Sequence, residues 1–262
     1  MKNKEKSVED EFSLEAKIYD KIWGQRNYDV EVEFLHELFQ KHGCKSIVDV
    51  GCGTGNHILR LGRRGYEMTG VDLSPTMLGI AKKKCRSAGS RFVQGDMKKL
   101  ENAVRRSKRF DAAFSLGHAC SHLYTDTEVQ LFLKGVHKVL KKNGLFVFNI
   151  NNAKKINEDY LNRLLLDHVV NEERLQIIVL AHNTRDLQNP NIVCWKPIYL
   201  TKKNGKMDLQ IREHRLRWFE FSTLKKLIAE NSFEVVAVYS GPAKEEFNEN
   251  LHKDAWFVTT AK

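Results

Sequence analysis

The spacing of apolar and polar residues along the chain alternates between two patterns, one typical of amphipathic helices and one typical of buried strands. From Tyr28 to Lys41, apolar residues recur at the three- and four-residue spacing of an amphipathic helix, and His42-Gly43 ends it. Ser46–Val50 follows as a short β-branched run, which is typical of a buried parallel strand. Helix and strand signals then alternate as far as Ile150, a rhythm that predicts a parallel sheet with helices on both faces.

The boundaries of this rhythm define the elements of the first 150 residues. Predicted helices begin at residue 56 and span 75–87 and 126–141, and predicted strands span 67–72, 91–96, 110–116 and 144–150.

The pattern changes after Ile150. It predicts a helix over 154–166 and then three β-prone segments over 174–183, 192–201 and 207–219. A helix over 222–230 and two strands over 234–240 and 255–261, able to pair as a hairpin at the sheet edge, close the chain. We therefore expect a single domain over 1–262, in which 153–219 form an antiparallel β cap over the active face; a plain extension of the sheet is the alternative.

Composition narrows the class of protein. Of the 262 residues, 42% are hydrophobic, which is enough for a sizeable core and too much for a disordered chain. The longest apolar runs fall far short of the roughly 18 residues that a membrane-spanning helix needs. Residues 1–12 mix Lys with Glu and Asp and lack the apolar stretch of a secretory signal, so a cytoplasmic location is expected. Five dispersed cysteines without a CxxC pair argue against a disulfide framework or a zinc cluster.

The net charge of +10 keeps nucleic acid open as a partner. Three basic runs contribute to it, at 82–86, 105–109 and 202–206. The runs sit on separate segments without interleaved aromatic residues, which favours solvated faces over a nucleic-acid groove.

A glycine-rich stretch carries the first sign of chemistry. Residues 48–55 read VDVGCGTG, a buried strand that runs into Gly51 and Gly53 and then into a predicted helix. Glycines let the backbone turn tightly and approach a ligand, and free N–H groups at a helix start favour a carboxylate or phosphate. The spacing is G-x-G-x-G and not the G-x-G-x-x-G of dinucleotide sites, so a structural turn is the alternative.

Two further strand ends point to the same ligand. Asp72 ends the next strand, where a carboxylate can bind both hydroxyls of an adenosine ribose. Gly95-Asp96-Met97 ends the third strand, where a carboxylate can accept from an adenine amino group and a methionine can pack on the ring. Together with the glycine-rich stretch, these two strand ends predict a binding site for adenosine with a carboxylate-bearing tail.

With these motifs, VDVGCGTG, GVDLSPTML and GDM, the chain resembles the class I S-adenosylmethionine-dependent methyltransferases over about residues 46–150. The resemblance implies S-adenosyl-L-methionine as cofactor and S-adenosyl-L-homocysteine as product. It also implies an α/β fold with a Rossmann-like, doubly wound sheet of seven strands that ends in a C-terminal antiparallel hairpin.

A narrower resemblance extends over the rest of the chain through IYDKIW (18–23), FSLGHACSHL (114–123) and RLRWFEFSTL (215–224). These segments are similar to glycine/sarcosine N-methyltransferases and nucleotide-linked aminosugar N,N-dimethyltransferases. Where those families have L-G-N-S, this chain has Leu116-Gly117-His118-Ala119.

The resemblance implies a role for each matching position. Gly51 and Gly53 would contact the methionine moiety, Asp72 the ribose, Asp96 and Met97 the adenine, and Leu116 the methionine amino group. Leu73 belongs to the same cofactor-binding set. Tyr19 and Trp23 would close over the cofactor, although an aromatic pair at this spacing can also pack as core. His122 falls at the family's substrate-facing histidine and is the candidate catalytic residue, whereas His118 has no equivalent and is interpreted as a loop histidine.

The predicted function is methyl transfer to a small-molecule acceptor, first an amine nitrogen and second a hydroxyl. Such a displacement at carbon needs no metal, and the sequence has no cluster of metal-spaced ligands. An RNA or protein methyltransferase and a catalytically silent cofactor-binding module are the alternatives. The sequence leaves the oligomeric state open.

Overall fold

The computed structural model describes residues 13–24, 26–104 and 109–262. The predictions for residues 1–12 and for most of the basic run at 105–109 therefore lie outside the described residues. The helices are α1 Ser13–Ile22, α2 Tyr28–Lys41, α3 Asn56–Arg63, α4 Pro75–Lys84, α5 Leu100–Ala103, α6 Asp126–Val139 and α7 Phe221–Glu230. None of the helices in these ranges has the length and apolar character needed to cross a bilayer.

The strands are β1 Ser46–Val50, β2 Glu67–Asp72, β3 Arg91–Gln94, β4 Phe110–Ser115, β5 Leu140–Asn151, β6 Leu164–Glu172, β7 Leu175–Arg185, β8 Ile192–Lys203, β9 Lys206–Ile211, β10 His214–Arg217, β11 Phe233–Tyr239 and β12 Asp254–Ala261.

Seven of these strands form one sheet in the order β11-β12-β5-β4-β1-β2-β3. The neighbouring pairs β3–β2, β2–β1, β1–β4 and β4–β5 are parallel, while β12 runs antiparallel to both β5 and β11. This confirms the Rossmann-like sheet of seven strands with a C-terminal antiparallel hairpin. All five residues of β1 are buried, because helices cover both faces of the sheet.

Two apolar clusters fill the two sides of this sheet. In one, Phe132 and Val136 of α6 and Leu227 of α7 pack with strand residues. In the other, Phe34 of α2 and Leu61 of α3 do the same. The strands are therefore fixed from both faces, and their carboxyl ends lie at one rigid edge.

A second, antiparallel sheet follows β5 in the chain. Its strands lie in the order β10-β8-β7-β6, and β9 also pairs with β8. Helix α1 packs on this sheet, because Ile18 and Ile22 share a buried apolar cluster with Ile177, Val179 and Tyr199. Helix α1 thus joins the second sheet to the rest of the molecule.

The predicted helix over 154–166 is wrong. The segment forms two single turns of 3-10 helix, Ala153–Lys155 and Glu158–Tyr160, before strand β6 begins. The side chains of Asn152 and Asn157 each accept a hydrogen bond from the backbone two residues on, at 3.2 and 2.8 Å, and so compete with a continuous helix. The predicted strand over 207–219 is likewise divided into β9 and β10, both of which pair with β8.

The five cysteines are buried free thiols. Burial raises the pKa of Cys120 to about 12 and that of Cys44 to about 11, so these thiols stay neutral at physiological pH. They pack as small apolar side chains.

Asp111, at the start of β4, links the amino ends of β4 and β1 by hydrogen bonds. Its carboxylate accepts hydrogen bonds from the backbone N–H of Lys45 and Ser46, at 3.0 and 2.8 Å, and from Lys141 Nζ at 2.6 Å. Burial alone would raise the pKa of Asp111, but these donors outweigh it and hold the pKa at about 2. Because the folded pKa lies below the unfolded one, this carboxylate stabilises the fold above about pH 4, and the contribution is lost as the pH falls towards 2.

We expect Asp111→Asn to lower the free energy of unfolding by about 1 to 2 kcal/mol at pH 7, a range that allows for solvent screening near the surface. Urea unfolding from pH 7 downwards should show the deficit shrinking below about pH 4. Asp208→Asn, on the exposed strand β9, is the control and should change little. A deficit for Asp111→Asn that is the same at every pH would contradict this account.

Candidate active site

Two cavities adjoin at the carboxyl ends of the parallel strands. The glycine-loop cavity, of about 320 Å³, lies against Gly51 and Gly53 and the ends of β2 and β3. The second-sheet cavity, of about 690 Å³, lies between α1, the loop after β4 and the second sheet. Four residues line both cavities and so form the boundary between them: Tyr19, Met77, Gly117 and His122.

The glycine loop leaves room that side chains would fill. Gly51 has a φ of +82°, and a Cβ there would meet the Cβ of Ala119 at 2.7 Å. Gly53 has a φ of +52°, and a Cβ there would meet nothing within 4 Å. The loop therefore needs glycine for its backbone conformation, and it presents bare backbone to the cavity.

Asp72 holds the loop from the end of β2. One carboxylate oxygen accepts the backbone N–H of Gly53 at 2.7 Å, and the other accepts that of Ser74 at 2.9 Å. A carboxylate has about four lone-pair sites, so acceptor positions remain for the hydroxyls of a ligand. Burial raises the pKa of Asp72 despite these backbone hydrogen bonds, so further donors would stabilise its charged form.

Asp49 lies beneath this site, in the middle of β1. It is fully buried, and its Oδ2 has no hydrogen-bond partner among the described residues. Burial raises the pKa of Asp49 well above its usual value, and the nearby charge of Asp72 adds to the effect. Sequence analysis missed this residue because a carboxylate inside a buried strand carries no spacing signal.

At the far end of the cavity lie Asp96 and Met97. Asp96 Oδ1 accepts the backbone N–H of Lys98 at 2.9 Å, which leaves its other oxygen 4.0 Å from Lys98 Nζ. Lys98 is instead bound more closely by Glu128, at 2.9 Å. Met97 lines the same cavity, and Leu73 is 44% exposed at its wall.

The structure gathers most of the residues singled out from the sequence. The glycine-loop cavity is lined by Tyr19, Gly51, Gly53, Asp72, Leu73, Asp96, Met97, Leu116 and His122. Trp23 instead lines the second-sheet cavity, where its ring lies 4.4 Å from that of His168. His118, interpreted as a loop histidine, also lines the second-sheet cavity.

Arg26 is a site residue that sequence analysis missed. Its Nε and Nη2 bind the two oxygens of Glu31, at 2.5 and 2.8 Å, and Glu31 also binds His57 at 2.7 Å. A Cβ at Gly117 would lie 2.9 Å from Arg26 Nη1. The guanidinium is thereby fixed in the wall of the second-sheet cavity, beside Gly117, which lines both cavities, and its positive charge there suits a ligand carboxylate.

The second-sheet cavity combines aromatic and polar walls. Its aromatic side chains include Tyr19, Trp23, Tyr160, Trp195 and Trp218. Its polar ones include the buried Asn151 and His214. Tyr19 and Trp23 belong to segment 18–23 and Trp218 to segment 215–224, both singled out from the sequence, but no single local motif connects the whole set.

The glycine-loop cavity fits an adenosine that carries an amino-acid tail. Asp72 can accept from ribose hydroxyls, Asp96 from an exocyclic amine, and Arg26 can face a carboxylate. The space beside Gly53 leaves the backbone open to such a ligand. S-adenosylmethionine has these groups.

Comparisons with known proteins agree with this geometry. Residues 47–144 match a family model described as a methyltransferase domain. A Geobacillus sp. (strain WCH70) protein named as a methyltransferase is 27% identical over 89% of this chain and 94% of its own length. A glycine/sarcosine N-methyltransferase of Parasynechococcus marenigrum (strain WH8102) is 31% identical over 52% of this chain, which spans only 48% of that protein.

Solved structures share the whole fold. A S-adenosylmethionine-dependent methyltransferase from Clostridium acetobutylicum ATCC 824 superposes with a TM-score of 0.80 at 18% identity, covering 95% of this chain and 98% of that one. An amino pentose methyltransferase from Micromonospora echinaspora, solved with S-adenosylmethionine bound, gives 0.75 at 19% identity over the full length of both. Residues 47–144 are accordingly a methyltransferase domain, the chain has the class I methyltransferase fold, and it is an enzyme that depends on S-adenosylmethionine.

Proposed function

We propose that the enzyme methylates an amine nitrogen of a small molecule that binds in the second-sheet cavity. The observation that carries this proposal is the shared boundary. Tyr19, Met77, Gly117 and His122 line both cavities, so a donor in one and an acceptor in the other would meet there. A hydroxyl acceptor is the second candidate.

On the cofactor side, each residue takes the role that its place in the glycine-loop cavity supports. Gly51, Gly53 and the backbone of Leu116 receive the methionine moiety. Asp72 and Leu73 hold the ribose, and Asp96 and Met97 hold the adenine. Tyr19 covers the cofactor from α1, while the position of Trp23 favours contact with the acceptor.

S-adenosylmethionine, when bound, supplies an activated methyl group on a positively charged sulfur. The work left to the protein is chiefly alignment, an effect worth up to roughly 7 to 11 kcal/mol. Arg26 and the glycine loop fix one partner, and the aromatic walls of the second-sheet cavity fix the other. His122, at the boundary, orients the amine or takes its proton.

The segment 153–219 serves in this proposal as the cap over the acceptor. It supplies Trp195, His214 and Trp218 to the second-sheet cavity. A cavity of about 690 Å³ is in the range of sites for drug-sized ligands and is far larger than glycine requires. An acceptor with a ring that packs on the indoles suits it better.

A polymeric acceptor is favoured less. Of the basic runs, 82–86 ends α4, where Lys84 is bound by Asp20 at 2.7 Å, and 202–206 forms the turn between β8 and β9. Among the described residues, neither run lines either cavity.

Cofactor binding tests the first half of the proposal. We expect Asp72→Ala to lower the affinity for S-adenosylmethionine, measured by calorimetry, by at least about tenfold, because a hydrogen bond to a charged group contributes about 1.5 to 3 kcal/mol. Gly53→Arg should abolish binding by filling the open space. Gly43→Arg is its matched control, because Gly43 has a φ of +65° and equally open surroundings away from both cavities. Tight binding by Gly53→Arg would contradict the assignment.

Acceptor class tests the second half. S-adenosylmethionine with a ¹³C-labelled methyl group would be supplied with glucosamine or phenethylamine, with the matched alcohols glucose and phenethyl alcohol, and with a cell extract divided by ultrafiltration. We expect labelled N-methyl signals from an amine or from the small-molecule filtrate. Label only in the retained macromolecules would instead favour the RNA or protein alternative, and cofactor binding with no transfer at all would favour a silent module.

The role of His122 has its own test. We expect His122→Ala to lower kcat by at least about tenfold, or roughly 1.4 kcal/mol, with S-adenosylmethionine affinity little changed. If His122 takes a proton, the wild-type rate should rise with pH through the titration range of an imidazole, and the variant should lose that limb. An unchanged rate and pH profile would show that His122 neither orients the amine nor takes its proton.

A further inference from the structure

We propose that His118, held in one orientation by Asp254, is the group that accepts a proton from the reacting N–H of the acceptor. This inference rests on the proposed function: of the two roles given there to His122, it leaves His122 the orientation of the amine and assigns the proton to His118. His118 and Asp254 are separated by 136 positions in the sequence, and their side chains meet beside the second-sheet cavity.

The backbone at His118 is held in an uncommon conformation. Its φ is +60°, in the left-handed region that few non-glycine residues adopt, Asn, Asp and His most often among them. The backbone N–H of His118 donates to Oδ1 of the buried Asn149 on β5, at 3.2 Å. The position is therefore fixed from the main sheet, and such conformations cluster at functional sites.

Asp254 determines which ring nitrogen carries the hydrogen. Its Oδ1 lies 3.0 Å from His118 Nε2. Burial would raise the pKa of Asp254, but the contact with His118 and the charges of Lys253 and Arg26 outweigh it and lower that pKa. The carboxylate is thus ionised at neutral pH and can only accept, so in the neutral imidazole Nε2 carries the hydrogen and Nδ1 the lone pair.

The location of the ring suits proton transfer. His118 lines the second-sheet cavity, and the residue before it, Gly117, lines both cavities. The other charged and titratable side chains that line the same cavity are Tyr19, Arg26, His122, Lys155, Tyr160, Asp167, His214 and Lys253. A carboxylate is bound to the ring of His118, the arrangement that orients a general base in other enzymes.

The step balances as follows. The acceptor nitrogen uses its lone pair to form the new N–C bond, and the electrons of the breaking C–S bond remain on sulfur. The N–H proton passes to Nδ1 of His118. The resulting imidazolium is stabilised by Asp254, which stays ionised.

His118→Asn is the most informative variant. Asn tolerates the left-handed conformation, so the loop keeps its shape while the imidazole is lost. We expect kcat for the fastest amine among glucosamine, phenethylamine and the filtrate acceptor to fall at least about tenfold, and the rise of rate with pH through the imidazole range to disappear. Affinity for S-adenosylmethionine should change little.

Asp254→Asn should act through the ring. A ¹⁵N NMR spectrum of the histidine-labelled protein should show the Nε2–H form of His118 in the wild type and its partial loss in the variant, without any acceptor present. Glu245→Gln is the control, since Glu245 lies 3.4 Å from His252 outside both cavities. It should leave both kcat and the His118 signal unchanged.

The outcomes separate this inference from the proposed function. If the wild type transfers label to no small molecule, the proposed function fails. If the wild type methylates an amine and His118→Asn does so with the same kcat and pH profile, the inference alone is overturned. An Nδ1–H form of His118 in the wild type would overturn it as well.

Discussion

The geometry of both cavities depends on how one carboxylate anchors helix α1. Asp20 accepts from Thr54 Oγ1 at 2.7 Å, from Asn56 Nδ2 at 3.0 Å and from Lys84 Nζ at 2.7 Å. Burial would raise the pKa of Asp20, but these donors outweigh it and lower that pKa. The helix is thereby tied to the end of the glycine loop, and its opposite side packs through Ile18 and Ile22 on the second sheet. Losing this anchor would move Tyr19, which lines both cavities.

Backbone atoms form part of the cavity wall at the glycine loop, and side chains from neighbouring elements hold that backbone in place. Gly51 and Gly53 present bare backbone in left-handed conformations, and Asp72 fixes their orientation from the neighbouring strand. Gly117, which lines both cavities, also works through the absence of a side chain, because that absence leaves room for the Arg26 guanidinium. The glycine-loop cavity is therefore shaped mainly by where side chains are absent, whereas the second-sheet cavity is shaped by large aromatic side chains.

Much of the fold could be predicted from the sequence because the hydrophobic period changes at each element. The alternation of buried strands such as Ser46–Val50 with amphipathic helices is a local signal, and the sheet follows from it. The prediction failed over 154–166, where Asn152 and Asn157 divert the backbone into single turns. It also missed β6, since Leu164 and Leu166 are exposed and the strand has no clean alternation of buried and exposed positions.

The two halves of the site differ in what a sequence can reveal. The proposed ribose and methionine contacts come from strand ends such as Asp72 that keep fixed distances from the glycine loop, so spacing indicates them. The second-sheet cavity, the proposed acceptor site, is formed by α1, the loop after β4 and the second sheet, beside partners as distant in sequence as His118 and Asp254. No local period relates these two positions, because they meet through β5: Asp254 pairs with Asn151, and the His118 N–H donates to Asn149. In the proposed function, specificity for the acceptor therefore depends on tertiary contacts, and it can vary while the cofactor motifs stay the same.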